Sequence, residues 1–121
     1  MEGQIDMIKL RTELSGTEQN IVNKWKDDNL IILDSIDNIC YLLSMNGNIK
    51  FSDCFGIPST FFESNQKYVL AIPNKVIKYY KYYLLENKGE EGEWYVGEKY
   101  LNGNIEFYKC CKNLEEAFQS L

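Results

Sequence analysis

The sequence predicts one α+β domain over residues 1–121: an antiparallel sheet of hairpins and a meander, with a helical segment near the N-terminus and a short C-terminal helix. Three observations predict it. Asn46-Gly47 and Asn102-Gly103 each lie between apolar runs, and both residue types tolerate the positive φ of a tight hairpin turn. Residues 76–111 read as three strands joined by two turns, the second of which is Asn102-Gly103. Residues 113–121 form a capped amphipathic segment, in which Asn113 precedes Glu115 and Glu116 while Leu114, Ala117, Phe118 and Leu121 share a face.

In chain order, Met7, Leu10 and Leu14 fall at helical spacing with Arg11 on the same stripe, and Ile5 lies off it. Residues 2–14 are therefore expected to be helical, with a short strand through Ile8, Leu10 and Thr12 as the alternative. Gly16 relaxes or ends this segment, and Thr17 is placed to cap a helix whose face holds Ile21, Val22 and Trp25. Asp27-Asp28-Asn29 closes that helix, and the aliphatic run 30–33 is expected to be a strand.

Residues 39–52 are read as a hairpin about Asn46-Gly47, which pairs Leu42 with Phe51, Leu43 with Lys50 and Ser44 with Ile49. A helix through Ile36, Ile39, Cys40 and Leu43 is the alternative. The hexapeptide beginning at Asn46 returns in kind at Asn102, as expected of two hairpins with the same turn chemistry. Residues 55–65 have loop composition around Phe61-Phe62, and residues 68–72 form a short strand stopped by Pro73-Asn74. Residues 76–86 are read as one strand from their four tyrosines, Val76 and Ile77, although a helix capped by Asn74 also fits the spacing. Lys88 to Gly92 make the next loop. The two-residue turn at Asn102-Gly103 sets Lys99 opposite Glu106 and Tyr100 opposite Ile105.

Composition narrows the function. The 121 residues, 45% apolar and 14% aromatic, suffice for one core and are too few for two ordinary domains. A net charge of −5 disfavours binding of nucleic acid through phosphate neutralisation and favours a basic partner. The first sixteen residues lack the organisation of a secretory signal, and no uncharged apolar run is long enough to span a bilayer, so a cytoplasmic protein without a membrane partner is expected. Cys40, Cys54, Cys110 and Cys111 lack metal or redox spacing and are expected as reduced thiols, with Cys110 and Cys111 on opposite strand faces.

No histidine is present, which removes the usual general base and the commonest zinc ligand. No catalytic residue, metal site or cofactor is expected, and the protein is not read as an enzyme. Lys67, Lys75, Lys78 and Lys81 alternate with Tyr68, Tyr79, Tyr80, Tyr82 and Tyr83 in the manner of a single-strand binding surface, but half of these rings are expected in the core. Two acidic sets are candidate partner-binding sites. One is Glu86, Glu90, Glu91 and Glu93, expected on an exposed loop; the other is Asp27, Asp28, Asp34 and Asp37 around the first strand.

Residues 72–121 combine a Tyr-rich strand, Trp94-Tyr95-Val96-Gly97, Asn102-Gly103-Asn104-Ile105 and the closing Leu114-Glu115-Glu116-Ala117 helix. This pattern resembles small immunity proteins of bacterial polymorphic or contact-dependent toxin systems. The resemblance implies a cytoplasmic α+β protein that binds and neutralises a cognate toxin domain, often a nuclease, by protein–protein contact, and it transfers no site residues. A phage-type inhibitor of a nucleic-acid-handling enzyme, or a small binding module built on the Tyr/Lys-rich strand, would share the same small size and acidity.

Overall fold

The computed structural model describes residues 7–44 and 67–121. In chain order the elements are β1 (Ile8–Lys9), α1 (Gly16–Trp25), β2 (Leu30–Leu33), β3 (Ser35–Ile36), β4 (Cys40–Ser44), β5 (Lys67–Leu70), β6 (Pro73–Tyr79), β7 (Tyr82–Asn87), β8 (Trp94–Lys99), β9 (Ile105–Cys111) and α2 (Leu114–Gln119). Seven strands form one sheet in the order β2-β6-β7-β8-β9-β4-β5, and β1 pairs with β3 in a separate two-stranded ribbon. The fold is α+β and dominated by antiparallel pairs, with one parallel pair between β4 and β9.

The sheet cannot be flat. β5 and β6 stand five strand spacings apart, roughly 24 Å in a flat sheet, yet the chain from Leu70 to Pro73 reaches at most about 11 Å. The sheet therefore curls on itself, and the connector is bonded at both ends: Ala71 donates to the Cys40 carbonyl, and the Ile72 amide donates to Asn87 Oδ1 at 2.7 Å.

Strand alternation then divides the core between the two faces. Leu42, Val69, Val76, Leu85, Tyr95, Ile105 and Phe107 fill the inner face with Leu10 and Ile36. Ile77, Leu84, Trp94 and Val96 face the other way, beneath Val22 of α1 and Leu114, Ala117 and Phe118 of α2. Trp25 stacks on Phe118 with ring centroids 5.4 Å apart.

Several expectations hold. α1 ends before Asp27, β2 covers residues 30–33, and Asn113 caps α2 by accepting from the Glu116 amide. Cys110 is exposed and Cys111 buried, as opposite strand faces require, and Cys40, Cys110 and Cys111 are free thiols.

Others are corrected. Over residues 7–14 the expected helix is absent, and only Ile8–Lys9 is a strand. The backbone bonds there run across the fold, from Leu10 to the Asp34 carbonyl and from Arg11 to the Asn74 carbonyl, and the supposed helical stripe is split: Leu10 joins the inner core, Leu14 packs beneath the helices, and Met7 is exposed. Residues 2–6 lie outside the described residues. Ser15, not Thr17, caps α1: its hydroxyl accepts from the Glu18 amide while Glu18 accepts from the Ser15 amide, a reciprocal capping box.

The 76–86 strand is in fact two. It folds at Tyr80-Lys81 into a hairpin that pairs Tyr79 with Tyr82, so the meander has four strands; the expected 68–72 strand is β5, which ends before Pro73, and β6 starts at Pro73 instead of Val76. Leu42 lies between Val69 of β5 and Phe107 of β9, not opposite Phe51. The Asn46-Gly47 turn, residues 48–52, Cys54 and the 55–65 loop lie outside the described residues.

In the last hairpin the register of a two-residue turn survives only far from the turn, where Trp94 faces Cys111 and Val96 faces Lys109. Tyr108 is the extra residue of a bulge, after which Gly97 faces Phe107, Glu98 faces Glu106, and Lys99 faces Ile105 instead of Glu106. Tyr100 falls in the loop. Gly97 is required at the bulge, because a Cβ there would lie 2.3 Å from the Glu106 carbonyl oxygen and 2.7 Å from Phe107 Cα. The bulge also switches the face parity of β9, which sends Ile105 and Phe107 inward and Cys111 toward the helices.

Candidate functional site: an acidic, aromatic corner beside the terminal strand

The two acidic sets meet different fates. Glu86 and Glu90 are only 2% and 7% exposed, which corrects the expectation of an exposed acidic loop. Glu86 Oε1 accepts from Asn74 Nδ2 at 2.8 Å, and its Oε2 accepts from the Gly92 amide at 2.9 Å. Glu90 accepts from the Tyr95 hydroxyl at 2.9 Å and from Asn87 Nδ2 at 3.2 Å. Burial, followed by the neighbouring Cys110 and the bond to Glu90, pushes the Tyr95 hydroxyl far up. These carboxylates satisfy donors at the β7–β8 turn, so they hold the fold together. Glu91 and Glu93 alone remain exposed on that loop.

Lys75 completes this polar core. Its ammonium lies 2.7 Å from Glu18 Oε1 and 3.8 Å from Glu86 Oε1, with all three side chains largely buried. Burial alone would raise the Glu18 carboxyl, but the Lys75 ammonium and the Ser15 amide outweigh it and hold it below the usual carboxylate range. A polar cleft of about 460 Å³ opens beside Asn74, lined by Lys9, Arg11, Lys88 and Glu91. Its lining carries both signs of charge on exposed side chains, the composition of a solvated groove.

The aspartates are different, since Asp27, Asp28, Asp34 and Asp37 are all exposed. Asp27 and Asp28 precede β2, Asp34 follows it, and Asp37 lies just past β3. The set therefore brackets one strand instead of converging on a point, and among the described residues no group of three or more Cys, Asp or Glu gathers as metal ligands.

At the first end of β2 the acids meet aromatics. Asp27 Oδ2 accepts from the Tyr80 hydroxyl at 2.8 Å and from the Tyr79 hydroxyl at 3.4 Å, while its Oδ1 accepts from the Asn29 amide at 2.8 Å. The Asn29 amide and then the Tyr80 hydroxyl hold the Asp27 carboxyl below its usual range, and the same bond raises the Tyr80 hydroxyl. Tyr79 stands edge-on to both Tyr80, at 4.7 Å, and Phe118, at 5.4 Å, and so links the corner to the helix-covered core.

Tyr80 is the unusual member. Its φ of +57° lies in the left-handed region, where an L residue other than Gly, Asn or Asp is uncommon, and it is 50% exposed. The Tyr80 amide donates to the Asn29 carbonyl, and Lys78 Nζ donates to the Tyr80 carbonyl, so the strained turn is held from both sides. Ile31, paired with Lys78 on the adjacent strand, is 49% exposed.

Neither Tyr80 nor Ile31 is marked by any sequence motif, because Tyr-Lys is not a hairpin dipeptide. The signal available was length: an eleven-residue strand over 76–86 is about twice the usual five or six. No protein-family model matches this chain, and neither a curated protein nor a solved structure matches it.

Proposed function

We propose that this protein is an inhibitor of the immunity type, which binds and neutralises a basic partner, a toxin domain, by protein–protein contact at the corner formed by Asp27, Asp28 and Tyr80. The observation that carries the reading is Tyr80. Its left-handed backbone costs about 1–3 kcal/mol at a non-glycine residue, and half of the residue is left in water although its hydroxyl is bonded to Asp27. An exposed, pre-oriented tyrosine flanked by Asp27 and Asp28 has the composition of a binding hot spot for a cationic protein. Of the two acidic sets, the aspartates are the exposed one, whereas Glu86 and Glu90 are buried.

The test is association with the product of the neighbouring reading frame, measured across a salt series. Changing Asp27, Asp28, Asp34 and Asp37 together to Asn should slow association about tenfold at low salt and flatten its salt dependence, and Tyr80→Ala should speed dissociation. The Glu91→Gln, Glu93→Gln pair should do less. Unchanged kinetics in both the aspartate and Tyr80 variants would remove this corner as the site.

A further inference from the structure

Resting on that reading, we infer that the partner is taken by strand addition: an extended segment with an apolar middle and basic ends pairs with the outer edge of β2. β2 terminates the seven-stranded sheet, and among the described residues its only ladder is with β6. That ladder runs unbroken from Leu30 opposite Tyr79 to Leu33 opposite Val76. In an antiparallel pair, alternate residues turn their N–H and C=O groups away from the partner; Asn29 faces β6, so Leu30 and Ile32 face outward, and since the Leu30 amide donates to the Asp27 carbonyl, the edge presents the Ile32 amide between the Leu30 and Ile32 carbonyls.

Sheet edges are ordinarily blunted by a lysine, a proline or a bulge. Leu30-Ile31-Ile32-Leu33 has none of these, and Ile31 is half exposed beside the edge. The protection lies outside the strand, in Asp27 and Asp28 at one end and Asp34 and Asp37 past the other.

Those acids select the occupant. A second copy pairing antiparallel about Ile31 would set Leu30 opposite the copy's Ile32, and therefore Asp28 opposite the copy's Asp34. Acid would meet acid at both ends, which is destabilising across strands. A strand with Lys or Arg at both ends reverses each of these contacts, and main-chain hydrogen bonds supply the affinity.

The experiment uses the full chain with two octapeptides, Lys-Lys-Val-Thr-Val-Thr-Lys-Lys and its counterpart with Glu in place of Lys, followed by titration and residue-resolved amide exchange. The basic peptide should bind in preference to the acidic one and slow exchange of the outward Ile32 amide about tenfold or more. Ile31→Lys should weaken that binding about tenfold without lowering the melting temperature, because it places a charge on the edge and leaves the core intact. Binding of the basic peptide without protection of residues 30–33 would overturn strand addition while leaving charge-guided docking in place. Protection in the free protein that grows with its concentration would identify a second copy as the occupant and overturn the basic one. Equal binding of the two peptides, or none, would overturn the inference even if the natural partner still associates through Asp27 and Tyr80.

Discussion

The Tyr80 hydroxyl donates to Asp27 Oδ2 at 2.8 Å across 53 residues of sequence, which fastens the loop after α1 to the tip of the β6–β7 hairpin. A local strain, the left-handed Tyr80, and a local charge, Asp27, are thereby held in one fixed arrangement at the surface.

Replacing Tyr80 separates the two roles. Tyr80→Gly should melt at or above the wild-type temperature, because glycine occupies φ near +57° without steric cost, whereas Tyr80→Val should melt lower, since a β-branched residue fits that region worst. Thermal melts of the two variants side by side check this. A Gly variant markedly less stable than wild type would mean that the ring supports the fold and is not kept for binding.

Gly97→Ala should be among the most damaging small substitutions in the chain. The added methyl meets backbone atoms at 2.3 and 2.7 Å, and no side chain there can rotate away. A loss of at least about 3 kcal/mol in urea unfolding is expected, at or above the usual range for overpacking. Near-wild-type stability would show that the β8–β9 ladder can open around the Tyr108 bulge.

Trp94 is fully buried beneath the two helices. Trp94→Ala should cost about 3–5 kcal/mol, the range for large aromatic truncations in cores. Denaturant titration followed by far-UV circular dichroism measures it, since the residue removed is one of the two tryptophan fluorophores.

The Lys75 cluster predicts an acid limb. Glu18 has its folded pKa held below the unfolded value, so its contribution is present at neutral pH and is lost as pH falls from about 4.5 through the lowered folded value. Lys75→Met leaves the Glu18 and Glu86 carboxylates buried together without a cation and should cost about 3 kcal/mol near pH 7. Because burial then raises Glu18, the variant should recover part of its deficit as pH is lowered toward 5. Parallel wild-type and variant curves over that range would show that Lys75 does not govern the titration of Glu18.

Local rules determined a good part of this protein. Asn113 ahead of Leu114, Glu115 and Glu116 specified α2, and Leu30–Leu33 specified a strand, because caps and β-branched runs act over a few residues. Ser15-Gly16-Thr17-Glu18 carried a legible capping box, although Thr17 was the first candidate. The class, an antiparallel-dominated sheet with a small helical content, followed from turn chemistry and strand composition.

What sequence alone could not decide depends on contacts between distant segments. Residues 7–14 carry helical periodicity but give their backbone bonds to Asp34 and Asn74, which sends Leu10 and Leu14 to opposite faces of the sheet and leaves Met7 exposed. Tyr80-Lys81 turns without turn residues because Asp27, Asn29 and Lys78 hold it. Glu86 and Glu90 look like any loop acids, yet the curl of the sheet carries Asn74, Asn87 and Tyr95 to them. Which acids stay at the surface thus belonged to the tertiary structure: Glu86 and Glu90 are buried because distant segments supply donors to them, and Asp27, Asp28, Asp34 and Asp37 remain exposed.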